Sequence, residues 1–448
     1  MVNALADART CYVLRCSHVG IALVGSLLLW ATAGIAGTRL TLEQAVAITL
    51  ERNPDLRAAA AQRPVIEAQL REANAPLWHN PELSAEARDR RSTSADLGSA
   101  RNRDGAVGIA ETFEVAGQMR HRRAAARTSL EAFDSEHATR SAALRLEVER
   151  RFVAVLVAQE RVAMEADLRW SFETAAGAVG KRVRAGEDSR LDGNLARVEL
   201  ERAMSQAAAQ QDVLIQARQS LATLLQLPPG SLPEAEGTID PAVAPDDAAE
   251  LARQLHERPA FSALRLREEE ARNRLELERA FRTPDVTVGV SYGREKTFDA
   301  RDNIATLSVS VPLPFFRRNE TGISRAAAEL ARAQIARQAA ERDMEAQLAA
   351  RLERLRVAAK RVARLREAAL PALEENRVLA ARAAEAGEIG LLQVIVVNRQ
   401  LLEGERELLD ARAEWRNAAI ALEAAAQGLP AEAVRTPRAD GAPRNEKD

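Results

Sequence analysis

The feature that most constrains this sequence is a pair of very long segments with almost no helix-breaking residues. Residues 118–176 contain neither glycine nor proline, and residues 323–386 contain a single proline, Pro371. At a rise of 1.5 Å per residue, continuous helices over these segments would be about 90 and 95 Å long, with a bend expected at Pro371. A compact domain is only roughly 30 Å across, so such helices project beyond any ordinary core.

The apolar pattern of the second segment is typical of helices packed side by side. Leu348, Leu352, Leu355, Ala359 and Val362 alternate spacings of four and three residues, which is the seam of a left-handed coiled coil. The composition agrees with long packed helices rather than a globular core, because only 3% of residues are aromatic.

The charge of the chain is nearly balanced, with 63 basic and 65 acidic residues. Since no excess of positive charge is present, nucleic acid is not a predicted partner.

The N-terminus predicts export. Arg9 and Arg15 precede an apolar run over residues 19–36 that ends in small residues, so we assign 1–36 to a signal peptide, with an uncleaved anchor as the alternative. Both cysteines of the chain precede this run and would leave with it. No later apolar stretch approaches the roughly 18 residues of a membrane helix. A membrane-crossing body would therefore have to use strands.

The mature chain contains an internal repeat. Its landmarks recur in one order at nearly one spacing: Pro54 with Pro259, Pro81 with Pro284, Phe113 with Phe315, "RAAA" at 123 and 325, "RAGE" at 184 with "EAGE" at 385, and Leu227 with Leu429. We predict two similar halves, residues 40–227 and 247–430. A proline-rich, acidic and irregular connector, 228–246, joins them, and a disordered polar tail, 431–448, follows.

Each half contains two candidate strands. They lie near 82–88 and 106–113 in the first half and near 285–293 and 304–312 in the second. In the second half, apolar residues alternate with small or hydroxylated ones. The first half repeats this scheme more weakly, because Glu86 and Arg88 lie on the polar face of its first strand and Glu111 interrupts the apolar face of its second. Each run is about ten residues, the length that crosses a bilayer at a tilt.

The two faces of these strands predict lipid on one side and water on the other. The predicted lumen-facing residues are Thr287, Ser291, Thr306, Ser308 and Ser310. A soluble sandwich has the same alternation and is the alternative. Since four strands cannot close a barrel and a membrane sheet leaves no open edge, the membrane interpretation requires several chains to share one barrel. Residues 89–104 and 294–302 are expected to be polar hairpin loops.

With these residues in view, the sequence resembles the TolC-type outer-membrane efflux channels over essentially the whole mature chain. The stretches "VSVPLPFFRRNETGISRAAAE" (309–329) and "ETFEVAGQMRHRRAAA" (111–126) are similar to the heavy-metal, CzcC-like branch. The resemblance implies a mainly α fold with membrane β: long coiled-coil helices forming a trimeric α-barrel, and four strands per chain in a shared twelve-stranded outer-membrane β-barrel.

The resemblance also implies a function and partners. The chain would be the passive exit duct of a tripartite efflux system, exporting heavy-metal cations, or alternatively drugs or type I secretion substrates. Its partners would be two further copies in a homotrimer, a periplasmic adaptor (membrane fusion) protein, an inner-membrane RND-type pump and outer-membrane lipid. A periplasmic adaptor or a structural coiled-coil envelope protein would share the long helices but not the strands.

The same resemblance assigns residues to the periplasmic end. Gly186 and Gly387 match the tip turns, where the adaptor engages. Asp192 matches an acidic residue of the family's mouth, whereas Gln393 replaces it in the second half and Ile389 stands in place of a gating arginine. We therefore assign the mouth or gate to Asp192, Gln393 and Ile389.

Two interpretations of Asp192 remain open. In the first, Ser189 caps the returning helix and Asp192, three residues later, completes a capping box. In the second, three copies of Asp192 line a constriction and attract cations. The sequence carries no phosphate loop, His-Glu-x-x-His, Cys-x-x-Cys or nucleophile elbow, so we predict no enzyme activity, cofactor or resident metal.

Overall fold

The computed structural model describes residues 39–94, 98–241, 257–297 and 300–429. The predicted signal peptide and the predicted disordered tail lie outside these residues. None of the described helices combines the length and hydrophobicity needed to cross a membrane.

The first part of the chain forms short helices, a strand hairpin and a long helical hairpin. Asn53 ends the first helix and caps the second, because its Oδ1 accepts the backbone N–H of Asp55 and Leu56, each at 3.0 Å. The elements are β1 (Arg39–Leu40), α1 (Leu42–Arg52), α2 (Pro54–Ala60), α3 (Arg63–Ala73), β2 (Glu82–Ser94), β3 (Gly98–Phe113), α4 (Gln118–Ala185) and α5 (Arg190–Leu224).

The second part has a similar succession. A short strand, β4 (Glu234–Ala235), precedes it and pairs in parallel with β1. The later elements are α6 (Pro259–Ala280), β5 (Val286–Thr297), β6 (Ala300–Ser310), α7 (Glu320–Arg364), α8 (Leu370–Glu385) and α9 (Leu391–Ala426).

Helix α4 is longer than predicted, and α7 has the predicted seam. Helix α4 contains 68 residues, which corresponds to about 100 Å. Leu348, Leu352 and Leu355 are 2%, 3% and 1% exposed and pack against α9 through Leu422 and Ala425. The stripe read from the sequence is therefore an interface between helices.

The irregularity expected at Pro371 takes the form of a widened helical turn. Residues Leu365–Ala369 form a π-helical turn in which the backbone N–H of Leu370 donates to the carbonyl of Leu365. Proline has no N–H and its ring collides with the carbonyl four residues earlier, so a regular α-helical turn cannot be kept there.

The strands form one antiparallel sheet in the order β2-β3-β5-β6. The prediction of polar loops at 89–104 and 294–302 was wrong, since most of these residues continue the ladders: Asp89 pairs with Arg103 and Lys296 with Arg301. Charged side chains on both faces removed the alternation that marks a strand, while the backbone pairing continued. Strand β6 ends at Ser310, short of the predicted residue 312, because Pro312 cannot donate to a ladder.

The described part of the connector is packed rather than free. Ile239 is fully buried in a cluster with Val148, Phe152, Leu221 and Leu225. Beyond β4, the described residues of this stretch are irregular, and their side chains pack against α4 and α5.

Candidate functional site

The strand register sorts the sheet into two unlike faces. One row across all four strands consists of Leu83, Ile109, Val290 and Leu307, and these side chains are 79%, 55%, 55% and 72% exposed. Apolar side chains are rarely left in water in such a continuous set. This face therefore requires a non-aqueous surrounding or a partner.

The other face carries the residues predicted to line a lumen. The register pairs Thr287 with Ser310, Gly289 with Ser308 and Ser291 with Thr306, which brings all five predicted hydroxyl residues onto one face. The hydroxyls of Thr112 and Thr287 are hydrogen-bonded across β3 and β5 at 2.9 Å.

This hydroxylated face is crowded at two glycines. A Cβ at Gly108 would lie 2.9 Å from both the Ser291 Cβ and the Ser84 Oγ, and one at Gly289 would lie 2.7 Å from the Ser308 Oγ. Such crowding is expected on the concave side of a curled sheet, where side chains converge. The close approach at these glycines was not predicted from the sequence, although a glycine inside a strand pattern is itself a signal of it.

At the far end of the helices, the two predicted tip glycines adopt the same turn. Gly186 and Gly387 have φ of 82° and 77°, which disfavours any residue with a Cβ. At each turn the N–H after the glycine reaches back to a helical carbonyl at 2.9 Å, from Glu187 to Arg182 and from Glu388 to Ala383. Helices α4 and α8 thus both end in a Schellman motif.

The capping interpretation of Asp192 is confirmed. The Asp192 N–H donates to the Ser189 Oγ at 3.1 Å, and the Ser189 N–H donates to Asp192 Oδ2 at 3.3 Å. The matching turn has no such box among the described residues: Gly390 caps α9 without a side chain, and the Gln393 N–H donates to the Gly390 carbonyl at 3.0 Å.

A cavity of about 320 Å³ lies between the two tip turns. It brings together Asp192, Gly387 and Ile389, whereas Gln393 is not among the described residues that line it. Asp188 also lines it and is paired with Arg182 at 3.0 Å. Asp188 was not among the residues predicted from the sequence; its place directly before the capping serine was the available signal.

Among the described residues, no group of three or more histidine, cysteine, aspartate or glutamate side chains is arranged to hold a metal ion. The geometry instead consists of long paired helices, a tip with two matching turns and a sheet with one apolar and one hydroxylated face. The outer membrane efflux protein family matches this sequence at residues 45–226 and 251–428.

The chain belongs to the outer membrane efflux protein family. The resemblance drawn from the sequence is thereby confirmed, and with it the assignment to the outer membrane as an efflux channel with a periplasmic part. Members of this family are channels rather than enzymes.

Individual relatives agree with this assignment. The cobalt-zinc-cadmium resistance protein CzcC of Cupriavidus metallidurans is 28% identical over 384 residues, which cover 86% of this chain and 89% of that protein. Crystal structures of CusC match with a TM-score of 0.70 at 18% identity, covering 86% of this chain and 91% of that one. The outer membrane protein VceC from Vibrio cholerae matches with a TM-score of 0.69 at 18% identity, covering 87% and 96%. The two structures share the TolC-like efflux-channel fold with this chain.

Proposed function

We propose that three copies of this chain form one outer-membrane duct, with four strands from each copy closing a twelve-stranded barrel. The observation that carries this proposal is the pair of open sheet edges. The edge strands β2 and β6 contain 13 and 11 residues, and an open edge is not tolerated in lipid. The exposed row through Leu307 then faces lipid, and the crowded face with Ser308 faces the water-filled lumen.

The helices continue the duct across the periplasm as an α-barrel, built from the two similar halves of each copy. The tip turns at Gly186 and Gly387 meet a periplasmic adaptor, which links the duct to an inner-membrane RND-type pump. Asp192, half-buried at the tip cavity, contributes one carboxylate per copy to the periplasmic mouth. Its capping bonds fix its position and leave its charge in place.

The exported substrates are heavy-metal cations such as Co²⁺, Zn²⁺ and Cd²⁺. Support comes from the 28% identity with the cobalt-zinc-cadmium resistance protein over most of both chains. A passive duct needs no tight metal site, because an ion must leave as readily as it enters.

The test is complementation of a deletion strain. Wild-type protein should restore growth in Co²⁺, Zn²⁺ and Cd²⁺ without changing tolerance to drugs and detergents. If the wild-type protein restored tolerance to drugs but not to these metals, the exported substrates would be drugs rather than metal cations. Light scattering of the detergent-extracted protein tests assembly separately, and a stable folded monomer would contradict the shared barrel.

A further inference from the structure

The hairpin ends of the sheet, residues 86–94, 98–105, 293–297 and 300–304, segregate charge by face. On the face that continues the apolar row, the described charged residues are one acid, Asp89, and six bases: Arg91, Arg101, Arg103, Arg294, Lys296 and Arg301. On the opposite face, the acids outnumber the bases: Glu86, Asp104, Glu295 and Asp302 against Arg88 and Arg90. The same two hairpins are thus basic outside and mildly acidic inside.

On the basic face, like charges lie directly opposite one another on neighbouring strands. The register sets Arg91 directly opposite Arg101 and Lys296 directly opposite Arg301. Like charges in directly opposed positions destabilise an antiparallel pair. Asp89 offsets only part of this charge, since both of its oxygens are held by Arg101 Nε at 2.9 Å.

The inner face shows that this arrangement is not a general property of the hairpins. There Arg88 pairs with Glu86 at 2.7 Å and Arg90 with Asp104 at 3.4 Å. Asp104 also accepts the backbone N–H of Lys296 at 2.9 Å, which ties the two hairpins together. Both inner bases are therefore paired with acids of the same chain, whereas among the outer bases only Arg101 has an acidic partner within the described residues. The remaining outer bases are free to pair with anions from outside the chain.

The position of the basic face indicates the source of those anions. Along β5 the outward residues are Val290, Tyr292, Arg294 and Lys296, so the apolar band passes through an aromatic residue directly into bases. Tyrosine is typical of the level where hydrocarbon meets headgroups. The next outward residues then lie at the height of lipid phosphates, within reach of long arginine and lysine side chains.

We infer that this basic face, Arg91, Arg101, Arg103, Arg294, Lys296 and Arg301, binds the phosphate groups of anionic lipids in the outer leaflet. The inference rests on the proposed membrane barrel. Guanidinium groups bind phosphate with two parallel hydrogen bonds, and several of them side by side match a bis-phosphorylated headgroup such as that of lipid A. Bound phosphate would relieve the repulsion between Lys296 and Arg301.

The experiment compares two double variants in the purified, full-length protein. Lys296→Gln/Arg301→Gln removes two charges from the basic face, and Arg88→Gln/Arg90→Gln removes two from the inner face of the same hairpins. Lipid A binding is measured by native mass spectrometry, with phosphatidylcholine as the neutral lipid and inorganic phosphate as the free anion. Because each base near an anionic surface contributes roughly fivefold, the loss of two bases should weaken the binding of lipid A by the first variant about 25-fold.

The inner-face variant should bind lipid A like the wild type, and inorganic phosphate at matched ionic strength should not displace the lipid. In phosphatidylcholine, the outer-face variant should melt no lower than the wild type. Equal lipid A affinity in the wild type and Lys296→Gln/Arg301→Gln overturns the inference, as does displacement by inorganic phosphate. Failure of the wild type to form a trimer that inserts into neutral vesicles would instead refute the proposed barrel.

Discussion

Glu165 on α4 and Arg406 on α9 form a two-pronged ion pair that joins the two halves of the chain. The hydrogen bonds from the guanidinium are 2.7 and 2.6 Å long, and Glu165 is only 1% exposed. Phe172 on α4, Ala203 on α5 and Ile395 on α9 form a buried apolar cluster that also joins these hairpins. The lower parts of the two helical hairpins are thus tied together within one copy.

Breaking this pair should destabilise the protein markedly. Arg406→Gln leaves the buried Glu165 charge without its partner, and we expect a loss of roughly 3 kcal/mol in the free energy of unfolding. The control is Arg361→Gln, which removes exposed ion pairs to Glu414 at 2.8 Å and to Glu407 at 3.2 Å and should cost at most about 1 kcal/mol. Equal losses of unfolding free energy for the two variants, measured by thermal or urea denaturation, would show that the Glu165–Arg406 pair stabilises the protein no more than an exposed pair does.

The hydroxylated face of the sheet should not accommodate even a methyl group at Gly108. Gly108→Ala places a Cβ against Ser291 and Ser84, and overpacking of this kind costs roughly 1–3 kcal/mol. Gly105→Ala on the same strand is the matched control, because a Cβ added at Gly105 would lie 3.7 Å from its nearest neighbour, the Glu86 carbonyl oxygen. The measurement is the melting temperature of the folded trimer. A Gly105→Ala variant less stable than Gly108→Ala would argue against a concave face.

Charge should have opposite consequences on neighbouring residues of β6. Leu307→Lys places an ammonium on the lipid side, which costs roughly 2–4 kcal/mol near the bilayer midplane, whereas Ser308→Lys points into water. Assembly of heat-modifiable trimers in outer-membrane fractions distinguishes the two variants. Normal assembly of Leu307→Lys together with failure of Ser308→Lys would reverse the assignment of the faces.

Asp192→Asn separates the capping role from the proposed mouth. Asparagine keeps an oxygen that can accept the Ser189 N–H but removes the negative charge. We expect near-normal trimer assembly, a weaker preference for cations and less block by multivalent cations in single-channel recordings. Identical reversal potentials for wild type and variant in a salt gradient would leave Asp192 with the capping role alone.

Asp240 should make the packed connector sensitive to acid. Its oxygens accept hydrogen bonds from Arg412 and Arg366, each at 2.7 Å. Burial alone would raise the pKa of this carboxyl, but these bonds and charges lower the pKa below the usual 3.8. A lowered folded-state pKa stabilises the protein above the unfolded value, and this stabilisation disappears as pH falls through the folded value.

Asp240→Asn should therefore melt at a lower temperature than the wild type at neutral pH. The gap should narrow once the pH falls below 3.8, because the wild type then loses the same ionised group. A gap that does not change with pH would show that Asp240 acts through shape and hydrogen bonding rather than charge.

Features that depend on local sequence were predictable. The absence of helix breakers predicted the long helices, the spacing of Leu348, Leu352 and Leu355 predicted their interface, and the tip glycines marked the turns. Ser189 and Asp192 formed the expected capping box because a cap involves only residues within one turn of helix. These signals need no knowledge of what lies across the fold.

Features that depend on distant neighbours were not predictable. Asp89 and Arg103 were predicted to be loop residues, because their own segments show no alternation of apolar and polar residues. They belong to strands because they pair with a partner segment, which the local sequence does not reveal. The crowding at Gly108 arises from Ser291, which joins it only when β3 and β5 meet. Likewise, nothing in the connector's own sequence shows that Ile239 is buried or that Asp240 meets Arg412.

The widened turn at Leu365–Ala369 makes the two helical hairpins of each copy mechanically unequal. Helix α4 runs without a comparable interruption from the sheet to its tip. In the path through α7 and α8, by contrast, the widened turn follows the 45 residues of α7 and precedes the 16 residues of α8, so it lies nearer the tip than the sheet. In the proposed ring of three copies, six hairpins surround the pore, but only every second one can flex at such a turn. The wall then has six hairpins of similar shape, but only three of them contain the flexible turn. Opening of its periplasmic end therefore proceeds by movement of these three alternate hairpins rather than of all six at once.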